Sequence, residues 1–436
     1  MKNPWERKKI LAYGKRFSVF TSIMLVLLFA FSCSNLIMND GGSLIIAVPG
    51  TRAATASSYT IELTGANGTT QSKTLAGGTI AQFDDLAPDT YSIVVEGMDT
   101  NNKVVLGGAS SATVVAGATA STTVELVEGV GDFAGLVEAI AAGGTVNILK
   151  SIDVENTLSL SRDVSINILP AYRDVTLKNT GLGNLFDVSA GKLTIGGGNH
   201  TITLDGNQSN SPIISMSGGT ATLADNGIIR NTTAAGVSLS SGTFNMDGGT
   251  IRNTTKGVNV QGGGTFTMKE GKITGNNGSS YGVGVTIGDG TFKMEGGEIS
   301  NNTTSYYYGG GVAITSSKGT FNFSGGSITG NVANSAGNGV YVTGGIFEMS
   351  GSAVVVSNND VYLVSSKITV ANTLSGTTPV ATITPASYAA STQVLSAENG
   401  VDLAAMVKKF KVTPDPDDGS QWTINAEGKL QKVEAQ

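Results

Sequence analysis

Four tyrosines carry the most specific chemistry in this chain. Tyr306, Tyr307 and Tyr308 follow one another in "NNTTSYYYGGGVAI", and Tyr281 precedes "GVGVTI". Aligning Ile287 with Ile314 sets Tyr281 directly beneath Tyr308, since each tyrosine stands six residues before its isoleucine. Two stacked rings with Tyr306 and Tyr307 beside them make an aromatic platform, a surface on which the apolar face of a sugar ring stacks. The competing expectation is that the rings fold onto the bend and cover only one another. Other reactive types are sparse. His200 is the sole histidine and Cys33 the sole cysteine, so no intramolecular disulfide forms and no metal or other cofactor is expected. "EGKI" at Glu270–Ile273 is no phosphate loop, because Ile273 stands where Ser or Thr is required. A catalytic reading would choose among Asp205, Asp225 and Asp289, each without an acidic neighbour in sequence.

The elements that must position these residues are repeated. "GTFNMDGGTIRN", "GTFTMKEGKITGN", "GTFKMEGGEISNN" and "GTFNFSGGSITGN" are followed by Asn-rich turns and then by "GVNV", "GVTI", "GVAI" or "GVYV". Phe244, Phe266, Phe292, Phe321 and Phe347 recur at intervals of 22, 26, 29 and 26 residues. Each repeat therefore holds three short strands joined by glycine and asparagine bends, and the length variation falls in the bend before the third strand. Alternation at period two points Phe244 and Met246 inward and Asn245 outward, with Tyr341 outward between Val340 and Val342. Ile251, Ile273, Ile299 and Ile328 form an inward ladder, which no single repeat buries alone.

This pattern resembles the right-handed parallel β-helix of the pectate-lyase-like proteins, most clearly over 192–364 and extending back to Thr145. At the inter-strand spacing, nine or so coils make a rod on the order of 40 Å long. Residues 131–144, with Asp132 capping an amphipathic helix of Phe133, Leu136, Val137 and Ile140, are expected to close one end. Residues 367–436 are expected to close the other, with 401–412 open between helix and strand. "GGGNHTITLDG" around His200 resembles an early-coil turn of such proteins. Enzymes of this fold cleave polysaccharides with clustered acids beside a base. Here the charges read instead as ladders between coils, Asp247–Lys269–Glu295 and Lys272–Glu298. A polysaccharide-cleaving lyase or hydrolase, active or degenerate, is the alternative function.

Ahead of the repeats, residues 43–128 alternate as short strands ("SLIIAV", "YTIEL", "YSIVVEG"), which predicts a small β-sandwich. "FDDLAPDTYSIVVEG" resembles the prealbumin-like and immunoglobulin-like modules of bacterial surface proteins, which implies a spacer. Residues 1–32 carry six basic residues and then the apolar run 17–31. Fifteen helical residues span only ~22 Å against the ~30 Å of a bilayer core, so an export signal is expected rather than a spanning helix. "AFSC" resembles the lipobox of bacterial lipoproteins, which implies lipidation of Cys33, a tether over 33–42 and membrane anchorage. An ordinary export signal containing a cysteine is the alternative. Ser34 resembles the outer-membrane sorting signal of some bacteria. Beyond residue 32 the chain carries 21 Lys and Arg against 32 Asp and Glu, a net charge of −11, which disfavours nucleic acid as a partner. The expected fold is all-β, a parallel β-helix of three strands per coil behind a sandwich. The expected role is a non-enzymatic, lipid-anchored structural or adhesive surface protein that contacts glycans through its aromatic loop edge.

Overall fold

A computed structural model describes residues 41–48, 56–76, 79–356, 358–398 and 400–434. Cys33, the export segment and the start of the tether lie outside the described residues.

The N-terminal strands alternate buried and exposed positions and pack as two sheets. Gly42–Ala47 lies between Ile80–Leu86, antiparallel to it, and Thr119–Thr123, parallel to it. The second sheet runs Thr70–Leu75, Ser58–Thr64, Asp89–Met98, Val104–Val114 and Val127–Glu128 in spatial order. Leu44, Ile46 and Phe83 of the first sheet meet Ile61, Leu63, Ile93 and Val95 of the second in one buried cluster. The turn in "LAPDT" is held by Tyr91, whose hydroxyl donates to the carbonyl of Ala87 at 3.0 Å. A separate small cluster of Val104, Leu149 and Tyr172 joins these sheets to the repeats, and Arg173 pairs with Glu96 beside it.

The rest is a parallel β-solenoid of about ten turns. Three strand faces alternate around each turn. One runs from Gly144–Ile148 through Thr291–Met294 to Leu395–Ala397, a second from Ile152–Val154 through Glu298–Ser300 to Val354–Val355, and a third from Leu158–Leu160 through Val312–Ile314 to Phe410–Val412. Identical residues stack in register. Phe244, Phe266, Phe292, Phe321 and Phe347 pair in succession on the first face, with ring centroids 4.6–5.4 Å apart, and each is at most 1% exposed. Ile251, Ile273, Ile299 and Ile328 do the same on the second face. Because side chains in a strand alternate, one register error would turn both ladders into water, so burial fixes the pairing.

Both ends of the core are covered. The helix Phe133–Ala142 starts where the Asp132 carboxylate accepts from the Gly135 N–H at 2.7 Å, and it ends at Gly143 with φ 82°. Leu136 and Ile140 join the solenoid core, whereas Val137, expected on the same apolar face, is 43% exposed. Stacked strands continue through Ile368–Leu374, Ala381–Pro385, Leu395–Ala397 and Phe410–Val412. The segment left open between helix and strand is both, a short helix Leu403–Met406 and a 3₁₀ turn Val407–Lys409 leading into the last of these strands. The hairpin Trp422–Ile424/Leu430–Lys432 then closes the end by burying Ile424 and Leu430.

Candidate functional site

The bend after the isoleucine ladder prepares the site. Two residues past each isoleucine the chain takes a left-handed conformation, at Asn253, Gly275, Asn301 and Gly330, where φ is 53–63°. Only glycine and, at some cost, asparagine adopt it readily. This turn directs the next residue inward. Asn276, Asn302, Asn331 and Asn359 are each no more than 2% exposed. Asn276, Asn302 and Asn331 each donate a carboxamide N–H to the next one's Oδ1 at 2.8–3.0 Å, and the acceptor also takes the donor's backbone N–H at 3.0–3.2 Å. Thr254 begins the ladder, its backbone N–H donating to Asn276 Oδ1 at 3.1 Å. Asparagines expected only as turn formers are therefore part of the interior. Their signal was present in sequence as a constant offset of three from Ile273, Ile299 and Ile328.

With the corner anchored, the inserted residues loop outward and return over the third face. The return is made at Gly282, Gly309 and Gly337, with φ of 59°, 72° and 66°. A Cβ on Gly282 would lie 2.8 Å from the Ala313 nitrogen. The residue before each glycine is Tyr281, Tyr308 or Ala336. Register on the third face places Thr286, Ala313, Tyr341, Tyr362 and Thr384 in one outward row. Where the loop supplies a tyrosine, the strand supplies a small residue. Where the loop supplies Ala336, the strand supplies Tyr341. Thr286 fixes the first loop, its hydroxyl donating to the Tyr281 carbonyl at 2.6 Å with the Gly282 carbonyl 3.0 Å away.

The result is a ladder of offset-stacked rings. Tyr281 and Tyr308 lie 6.0 Å apart with planes inclined by 10°, as their alignment predicts. Tyr341 completes a triangle at 5.8 Å from Tyr281 and 4.5 Å from Tyr308, and Tyr362 extends it at 5.8 Å from Tyr341. Tyr341 is 7% exposed, not in water as its strand position predicts, because these rings surround it. Burial, and behind it the neighbouring phenols, pushes its pKa up. Tyr307 leans on Tyr281 at 4.8 Å and 38° and remains 42% exposed, while Tyr306 is 71% exposed. The four tyrosines named from sequence thus divide. Tyr281 and Tyr308 are half-buried rungs, and Tyr306 and Tyr307 form the open edge.

The acids are distributed otherwise. Asp205 is 8% exposed and is held by Arg230 at 3.1 Å and by the Asn231 amide at 2.7 Å. Asp289 pairs with Lys318 at 3.7 Å and accepts from Ser316 at 2.5 Å. Asp225 lies in the turn between the first and second faces, where its backbone carbonyl accepts from Gly197 at 2.6 Å. The structure does not bring these three together. His200 sits 4.0 Å from Asp174 in an exposed turn. Of the expected charge ladders, Lys269–Asp247 closes at 3.0 Å and Lys272–Glu298 at 3.4 Å, whereas the strand register sets Asp247 opposite Glu270 and not Lys269. Glu295 adds to the field that raises the Lys269 pKa, after the hydrogen bond and charge of Asp247.

The chain matches no protein-family model, no curated protein and no solved structure.

Proposed function

We propose that this protein is a non-enzymatic, lipid-anchored surface module whose solenoid presents the tyrosine ladder to glycans, with the sandwich as spacer. The anchor rests on "AFSC" and the basic, apolar stretch before it, and Ser34 favours the outer membrane. Glycan contact rests on one observation. Tyr306 and Tyr307 stay 71% and 42% exposed at the edge of the ladder. Burying an aromatic side chain gains roughly 1.5–3 kcal/mol, so holding two in water forgoes stability that a ligand would recover. Stacking of a sugar on a ring contributes about 0.5–1.5 kcal/mol. Such a site is weak singly and acts through many copies on one surface.

The test separates edge from ladder. Tyr306→Ala/Tyr307→Ala is expected to weaken retention of the protein on dense immobilised glycans severalfold while leaving the melting temperature unchanged. Extending the change to Tyr281 and Tyr308 lowers the melting temperature as well. A parent chain that retains no glycan at high density ends the proposal.

A further inference from the structure

The tyrosine ladder does not stop at Tyr362. The same ring forms one wall of a cleft of about 680 Å³ at the C-terminal end of the third face. The opposite walls come from the segments that leave the strands Ala381–Pro385 and Phe410–Val412, and they bring Tyr388, Pro385 and Pro414 to the cavity. Tyr388 is held rather than loose, with its hydroxyl 2.5 Å from Thr413 Oγ1 and its ring 6.2 Å from Trp422 at a 54° tilt. Asp415 and Asp417 line the cleft, and no lysine or arginine does. Asp415 is set by its own turn, accepting from the Asp417 N–H at 3.0 Å. The region carries a negative field: after burial, the charges of Asp415 and Asp360 help to push the Tyr388 phenol up.

We infer that this cleft is a saccharide subsite selective for neutral sugars and closed to uronates. The inference rests on the glycan-binding proposal above and adds the substrate class. Two tyrosine rings and proline faces match the apolar side of a pyranose, and a cleft of this size holds one or two sugar units. Carboxylates without a compensating base accept hydrogen bonds from sugar hydroxyls, but they repel a sugar carboxylate. At 4–6 Å such repulsion weakens binding about three- to sixfold per pair in a solvated cleft, and salt screens it.

The experiment is affinity electrophoresis of the full chain through four neutral polymers (glucan, mannan, galactan and xylan) and through polygalacturonate, at low and at 0.5 M salt. The expected result is retention by at least one neutral polymer and, at low salt, retention by polygalacturonate weaker by about tenfold, narrowing as salt rises. Tyr388→Ala weakens the neutral retention, and combined with Tyr306→Ala/Tyr307→Ala it removes it. Asp415→Asn/Asp417→Asn, which preserves the turn, keeps the neutral retention and admits polygalacturonate. Circular dichroism melting of both variants confirms the fold, and Tyr388→Phe, which keeps the ring, retains the neutral polymer. Neutral retention undiminished by Tyr388→Ala, or polygalacturonate bound equally by the parent, overturns the cleft and leaves the glycan proposal standing. Retention by none of the five polymers overturns both.

Discussion

The carboxamide of Asn302 donates to Oδ1 of Asn331 at 2.9 Å, across 29 residues of sequence and one turn of the solenoid. The same Nδ2 donates to the Ile273 carbonyl at 2.9 Å, and Asn302 Oδ1 accepts both N–H groups of Asn276 at 2.8 and 3.2 Å. A buried carboxamide with two donors and two acceptor sites filled has no polar capacity left over. Asn302→Leu would strand the donors on Asn276 and take one donor each from Asn331 Oδ1 and the Ile273 carbonyl at once. Each buried unsatisfied group costs about 1–3 kcal/mol, so the variant is expected to lose several kcal/mol. The neighbouring Asn301, with φ 54°, serves only the turn. Asn301→Gly is expected to be nearly neutral, and Asn301→Ala to cost about 1–2 kcal/mol. Urea denaturation of the three variants checks this, and equal midpoints for Asn302→Leu and Asn301→Gly would sink the assignment.

A second pair of substitutions tests the strand register. Ile299 is fully buried between Ile273 and Ile328, and Lys293 points outward on the same coil. Ile299→Asp leaves an unpaired carboxylate in the core, a cost of several kcal/mol even after its pKa rises. Lys293→Ala should cost less than about 0.5 kcal/mol. Comparable loss of stability in both would contradict the register.

How much of this was legible follows from what each residue type signals. Phe244 to Phe347 and the isoleucine ladder were readable because an apolar residue recurring at a fixed offset has one cheap location, the interior. The stacking of Tyr281 on Tyr308 was readable from the shared spacing to Ile287 and Ile314. The asparagine ladder is not legible as core, because asparagine is common in turns and its burial is tolerable only when its donors and acceptors are paired, as the residues in register pair them here. Tyr341 and Tyr362 escaped for a different reason: their strands alternate correctly, and only the loop carrying Ala336 leaves room for the ring. The later strands "KITVANTL" and "VATITPA" lack the phenylalanine signature, so stacking on preceding coils, not local sequence, places them.

The anchor makes its own prediction. Lipidation at Cys33 requires its thiol, so Cys33→Ala should leave an unprocessed precursor that takes up no label from a palmitate precursor and no longer partitions into detergent. A single acyl chain binds a membrane only marginally, so stable partitioning of the parent implies more than one. Parent protein recovered unlabelled and soluble in the culture medium would refute lipidation.

Lys256 supplies a pH dependence with a definite sign. It lies half-buried in the bend after Thr254, whose hydroxyl donates to the Lys256 carbonyl at 2.9 Å. Among the described residues its ammonium has no ion-pair partner, and burial pulls its pKa from 10.5 down to about 8. The folded chain therefore releases this proton more readily than the unfolded chain. Below about pH 8 both states hold the proton and the charged amine costs the folded state stability. Between about 8 and 10.5 only the unfolded state holds it, so stability rises with pH through that window. Lys256→Met keeps the apolar stem and removes the charge. It should raise stability at pH 7 by an amount on the order of 1–3 kcal/mol. It should also remove this group's rise at higher pH, so that the two proteins converge near pH 10.5. Other lysines and tyrosines titrate in both chains and cancel in the comparison. Urea midpoints measured for both at pH 7, 8.5 and 10 read the difference directly, and parallel curves would show that the Lys256 ammonium is solvated in the folded protein.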